Sequence, residues 1–167
     1  MAHTVLPSKT TQVFLSTALA NVLDNRGRIQ TCRMLLDSGS QSNFITLDLV
    51  QRLGLSTKSV DISIVGVNQA CSKIQKMTQA QISSRYNAYE VNINCLVMKQ
   101  ITERIPSIPM ENNFKLPQNL TLADPKFYRS TDIDILLGAE MFWSIVCIGQ
   151  IKESTEHLLL QKTLFGG

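Results

Sequence analysis

The run Met34-Leu35-Leu36 ends abruptly on a carboxylate, Asp37, and Ser38-Gly39-Ser40 follows at once before apolar side chains resume at Phe44-Ile45. This stretch constrains the chain more than any other. Burying an unpaired carboxylate against apolar neighbours is costly or drives its pKa upward. An apolar strand that terminates this way therefore places its acid for a purpose. Gly39 lacks a Cβ, so the backbone can turn tightly there and approach a ligand. Ser38 and Ser40 can hydrogen-bond the carboxylate or the turn backbone. Three other readings compete. Asp-Ser-Gly-Ser is common β-turn composition. Residues 37–42 also fit the phospho-dependent degradation pattern Asp-Ser-Gly-x-x-Ser, which needs exposed, flexible chain, whereas this segment is pinned between apolar runs. A serine-nucleophile elbow needs glycine two residues before and two after the serine, and neither Ser38 nor Ser40 has both.

Length and charge narrow the chemistry. A chain of 167 residues holds one domain, or one with a substantial insertion, and 44% apolar content supplies a sizeable core. A net charge of +3 with no basic run points to neither nucleic acid nor anionic membrane. No apolar stretch reaches the roughly 18 residues of a membrane span. Met1-Ala2-His3-Thr4 lacks a charged region followed by an apolar block, so no secretory leader is expected. Cys32, Cys71, Cys95 and Cys147 are widely spaced. They read as buried free thiols in a reducing, cytoplasmic compartment. The two histidines, His3 and His157, lie near the chain ends, which argues against a zinc site or a Cys-His or Ser-His catalytic pair. Carboxylates remain as the main catalytic groups.

Taken in order, residues 1–11 read as a loose arm. Residues 13–23 are β-branched and apolar, Asp24-Asn25-Arg26-Gly27 is a turn, and 28–36 alternates before becoming fully apolar. This predicts a hairpin that delivers Asp37 at the end of its second strand; a helix over 13–23 is the weaker alternative. A short strand over 42–46 leads to a helix capped by Thr46, with Leu47, Val50 and Leu53 at three-residue spacing and Gly54 as its stop. Residues 60–65 and 73–83 form a second, longer hairpin whose tip is Gly66-Val67-Asn68-Gln69-Ala70. Residues 90–98 are a strand with Val91, Ile93, Cys95 and Val97 on one face. Residues 101–131 carry Pro106, Pro109, Pro117 and Pro125 without periodicity, as an insertion would. Asn119-Leu120-Thr121 fits the glycosylation pattern and is read as chance. An apolar strand over 133–138 ends in glycine, a helix over 139–146 follows, and 148–151 and 158–161 are terminal strands.

That order of elements, with Asp-Ser-Gly near the start and Ile135-Leu136-Leu137-Gly138 about a hundred residues later, resembles a retroviral-type aspartic protease subunit. The longer motifs narrow the likeness: Leu36-Asp37-Ser38-Gly39-Ser40-Gln41-Ser42-Asn43-Phe44-Ile45-Thr46, Arg52-Leu53-Gly54-Leu55, Leu122-Ala123-Asp124-Pro125, and residues 132–140 with Trp143. They resemble the peptidase domain of BEL/Pao-type LTR retrotransposon polyproteins, from about Leu15 to Gly167. The resemblance implies an all-β, retropepsin-like acid protease subunit: a closed-barrel-like fold with a flap hairpin and one or two short helices. It implies a protease domain over 12–151 with an insertion at about 101–131, and a segment over 152–167 leading into the rest of a polyprotein. It also implies an aspartic endopeptidase whose catalytic residue is Asp37, supported by Ser38, Gly39 and Ser40. Gly66, Val67 and Asn68 would form the flap, and Ile135, Leu136, Leu137 and Gly138 the hydrophobic-glycine loop. At position 68 the family tends to have a second glycine; asparagine tolerates the same turn. No metal and no organic cofactor are implied, and the substrate would be an extended peptide or polyprotein.

Aspartic proteolysis needs two carboxylates about 3 Å apart sharing one proton, because like charges so close cannot both ionise. This chain has one Asp-Ser-Gly; Asp24, Asp48, Asp61, Asp124 and Asp134 lack the motif, and Asp134 reads as a strand-edge residue. The expected partner is therefore a second copy in a C2 homodimer. Two other readings stay open: a catalytically silent or domesticated module that keeps the fold for dimerisation or peptide binding, and a retropepsin-like host protease acting on ubiquitin-linked substrates.

Overall fold

A computed structural model describes residues 16–66, 69–109, 116–153 and 158–166. Residues 1–11, expected as an arm, lie outside the described residues, as do Val67 and Asn68 of the flap tip. The first hairpin forms as its sequence dictates. β1 (Thr17–Leu23) and β2 (Ile29–Leu36) pair antiparallel from Leu23↔Ile29 to Thr17↔Leu35. Alternate residues of β1 are buried, the period of two that a half-buried strand requires. Asp24 closes the turn by accepting the N–H groups of Arg26 and Arg28 at 2.9 and 2.8 Å. These backbone bonds, the one from Arg28 foremost, hold its carboxyl below the usual range.

β3 (Asn43–Thr46) runs straight into α1 (Leu47–Leu53). The Thr46 hydroxyl accepts the Leu49 N–H at 3.2 Å, and Gly54 ends the helix in the left-handed region at φ 64°. β4 (Lys58–Val65) and β5 (Cys71–Ser83) make the second hairpin, followed by β6 (Glu90–Met98), β7 (Ile135–Leu137), α2 (Ala139–Ile145), β8 (Val146–Glu153) and β9 (Leu158–Thr163).

The large sheet has the order β1-β2-β7-β3-β6-β5-β4, and β1 also pairs with β5 through Asn21↔Ser83 and Val22↔Ile82. Six strands therefore close into a barrel, and β4 hangs outside on β5. This is the mostly-β, closed-barrel architecture of a retropepsin-like subunit. β7 is wedged between the two strands that flank Asp37, parallel to β2 and antiparallel to β3. It is buried on both faces, which is why Ile135-Leu136-Leu137 reads as continuous rather than alternating apolar sequence. Ile135 and Leu137 point into the barrel core with Met34, Leu36, Ile45 and Cys95. Leu136 points outward into a second apolar cluster with Leu35, Phe44, Leu96, Ile74, Ile105 and Ile133, against which Val60 and Ile64 of the outer hairpin pack.

The expectation that all four cysteines are buried needs restating. All four cysteines are free, but only Cys32 and Cys95 are buried; Cys71 opens β5 on the outer hairpin and is exposed, and Cys147 is intermediate. Residues 158–166 pack onto the strands and helix before them. β9 pairs with β8, the Leu164 N–H donates to the Ile145 carbonyl at 2.9 Å, and Phe165 is fully buried against the edge of Tyr89 at a ring separation of 5.7 Å. The aperiodic 101–131 stretch is fastened in its described parts by polar contacts: Ile105 bridges Thr131, and the Leu19 N–H donates to the Ala123 carbonyl at 2.8 Å. Among the described residues no helix is long and apolar enough to cross a membrane.

Candidate active site

Asp37 sits where β2 stops. Its N–H donates to the Leu137 carbonyl at 2.9 Å, so the neighbouring β7 fixes the backbone of the acid itself. One carboxylate oxygen, Oδ1, accepts the Gly39 N–H at 2.8 Å. A Cβ on residue 39 would lie 3.2 Å from that same oxygen, so glycine lets the turn fold closely round the acid. Asp37 is half-buried, and Ser38 and Gly39 are exposed beside it. Among the described residues no cation lies in ion-pair range of Asp37.

The supporting residues divide. The Ser40 hydroxyl donates to the Ser42 carbonyl at 2.8 Å and bends the loop towards β3, whereas Ser38 makes no such bond within the chain among the described residues. The hydrophobic-glycine segment comes to the same place. The Ala139 N–H donates to the Ser40 carbonyl at 2.7 Å, and the Gly138 N–H donates to Asn43 Oδ1 at 2.8 Å. A Cβ on residue 138 would stand 2.6 Å from the Ser42 carbonyl oxygen and 2.8 Å from that of Ser40. Glycine is needed there for close approach, since its φ of −80° suits any residue. Residues 37–40 and 135–138, about a hundred positions apart in sequence, are thus brought together.

The expected flap is described at its base only. Its edge strand β4 is mostly exposed and kinks between Ser59 and Ile62. At the tip the Gly66 N–H donates to the Ala70 carbonyl at 3.0 Å, and Gln69, not a glycine, takes the left-handed conformation at φ 60°.

Several other acids are paired elsewhere. Asp124 is buried; its Oδ2 accepts from Arg33 Nε at 2.8 Å and from the Thr17 hydroxyl at 2.7 Å. Asp134 accepts the Arg33 N–H at 2.9 Å and pairs with Arg52 at 3.3 Å; burial is the main cause that pushes its pKa up. Asp134 lies immediately before β7, three residues ahead of Leu137, and its carboxylate is taken up by Arg33 and Arg52. Asp48 pairs with Arg52, and Asp132 with Arg104. Among the described residues no group of three or more His, Cys, Asp or Glu could hold a metal ion.

Sequence reasoning overlooked Asn43 and the Arg33–Asp124 pair. Asn43 did leave a signal: an amide opening an otherwise apolar strand beside the Asp-Ser-Gly turn. Arg33 left one too, as a cation inside the run Cys32-Arg33-Met34-Leu35, where a buried charge demands a partner.

The profile of a family described as "Putative peptidase (DUF1758)" matches residues 12–166. The chain belongs to this family. The match takes in the Asp37 turn, both hairpins and the terminal strands, so the peptidase family covers every element that builds the site. A search of curated proteins finds no match to the chain.

Proposed function

We propose that this member of the peptidase family is one half of an aspartic endopeptidase, completed by a second copy of itself. The observation that carries the reading is the state of Asp37. Its backbone is clamped by β7, its carboxylate meets a lone N–H, and among the described residues no cation pairs with it. An acid held so firmly and neutralised so little is prepared to share a proton with a twin.

In the C2 dimer the two Asp37 carboxyls meet on the axis and hold a water between them. The ionised one takes a proton from the water as its oxygen attacks the peptide carbonyl carbon, and the protonated one gives its proton to the carbonyl oxygen. The resulting gem-diol collapses. The C–N bond breaks, the amine nitrogen takes up a proton, and a carboxylic acid and an amine leave. The two apparent pKa values belong to the pair. The outer hairpin ending at Gly66, Val67 and Asn68 closes over an extended peptide and excludes water. Trp143, Ile148, Ile151 and Leu159 on α2 and the terminal hairpin are exposed apolar side chains; they follow directly on the segment that grips the Asp37 loop and supply surface for the second copy. The BEL/Pao-like motifs make a retrotransposon polyprotein the substrate class, and four free thiols suit the reducing cytoplasm.

Cleavage of an unbiased peptide library, with Asp37→Asn as control and sedimentation run in parallel, tests the reading. Cleavage that needs Asp37 and a dimer supports it. A folded dimer that cleaves nothing points instead to a silent binding module.

A further inference from the structure

We infer that Asn43 is the positioning residue that sets the separation of the two Asp37 carboxyls, an inference that rests on the dyad reading above. The active-site loop leaves β2 at Asp37 and enters β3 at Asn43, and the two ends are fastened differently. At the first end backbone meets backbone, Asp37 N–H to Leu137 carbonyl at 2.9 Å. At the second end that device is lost. The β3–β7 ladder stops at Phe44↔Leu136, and Gly138 lies beyond it with an N–H that no strand receives. The Asn43 side chain takes the place of the missing strand. Its Oδ1 accepts the Gly138 N–H at 2.8 Å, and its Nδ2 donates to the Asn94 carbonyl of β6 at 3.2 Å.

The two bonds fix which way the amide faces, because only the oxygen can accept from Gly138 and only the nitrogen can donate to Asn94. Asparagine meets both demands with one planar head. Aspartate keeps the acceptor and loses the donor, and alanine loses both. Leu137 O, Gly138 N–H and Ala139 N–H therefore grip the loop at three points: Asp37, Asn43 and Ser40. The middle grip is the one made by a side chain, so it can be removed without touching the backbone of the acid.

Loosening it lets the loop move away from β7, and in a symmetric dimer both loops move. Misplacement of reacting groups by about 1 Å costs about 100-fold in rate. Carboxyls set farther apart also repel each other less, so the two apparent pKa values of the dyad draw together.

The test is the pH profile of peptide cleavage by dimeric wild-type, Asn43→Ala and Asn43→Asp chains, with thermal unfolding of each. Asn43→Ala is expected to lose about 100-fold in kcat with KM little changed, and its bell-shaped profile to narrow. Asn43→Asp keeps the Gly138 bond but places a negative charge on the loop, which raises both limbs and moves the optimum to higher pH. A merely structural asparagine would lower the melting temperature or the active fraction and leave the limbs in place; that result, or wild-type kinetics in Asn43→Ala, overturns the inference while the dyad reading stands. If Asn43→Ala does not fold, Asn43→Leu, which keeps the volume and removes both bonds, is read in its place: the same loss of rate and narrowing support the inference, and unmoved limbs overturn it. A wild-type dimer that cleaves nothing overturns the dyad reading and this inference together.

Discussion

Arg33, within β2, and Asp37, just past its end, treat charge in opposite ways. At Arg33 each charge is answered within the chain. The guanidinium donates from Nε to Asp124 at 2.8 Å, and from Nη1 to the Ile105 carbonyl and the Thr131 hydroxyl at 2.6 Å each; among the described residues Nη2 alone lacks a partner. Four residues later Asp37 has one N–H and no cation among the described residues. The buried pair must be nearly fully bonded, because two desolvated charges are tolerated only when geometry and hydrogen bonds compensate them. An acid that is to exchange protons must stay under-satisfied, since every added donor would lock its ionised form. Arg33 ties β2 to the 101–131 stretch; Asp37 has no cation among the described residues.

Substitutions at the two positions should separate these roles. The largest effect is expected from Asp37→Asn: cleavage falls by at least about 10³-fold, while the melting temperature stays near that of the wild type, because no ion pair among the described residues is broken. A large drop in stability would show that Asp37 is structural after all. Arg33→Ala should do the reverse. It strands Asp124 in the interior and costs roughly 3–5 kcal/mol in urea denaturation. Gly138→Ala joins the two effects. The new Cβ would collide with the Ser42 carbonyl oxygen at 2.6 Å, costing about 1–3 kcal/mol and displacing the loop, so activity should fall more than the lost stability explains.

Asp134→Asn should have the smallest effect, and one that depends on pH. Burial raises the Asp134 pKa. Its ionised form therefore weakens the fold above that pKa, and protonation relieves the cost as pH falls through the folded value towards the unfolded one near 3.9. Asparagine keeps an acceptor for the Arg33 N–H and carries no charge. Relative to wild type it should be most favourable at neutral pH, and the gap should narrow towards pH 4. A gap that widens on acidification would contradict this.

What was legible in the sequence is what local chemistry controls. The β-branched and apolar run of β1, the Asp24 turn, the Thr46 and Gly54 caps, and the abrupt apolar-to-Asp37 junction each depend on neighbours a few residues away. The insertion of β7 between β2 and β3 has no local mark; it joins Met34 to Ile135 across about a hundred residues. Arg33 and Asp124 are separated by 91 positions, and Asn43 and Gly138 by 95. Phe165 belongs to the two-residue apolar run Leu164-Phe165 before Gly166, too short to show a period that would announce that it fills the core. Half of the proposed site belongs to another copy, and one copy's sequence records only the absence of a second Asp-Ser-Gly.

Mixing tests that central claim most directly. Wild-type and Asp37→Asn chains are combined at constant total concentration, equilibrated, and assayed for peptide cleavage. If two Asp37 carboxyls must meet, activity follows the square of the wild-type fraction, because every mixed dimer is silent. Activity proportional to the wild-type fraction would mean that each chain works alone, and would contradict the account.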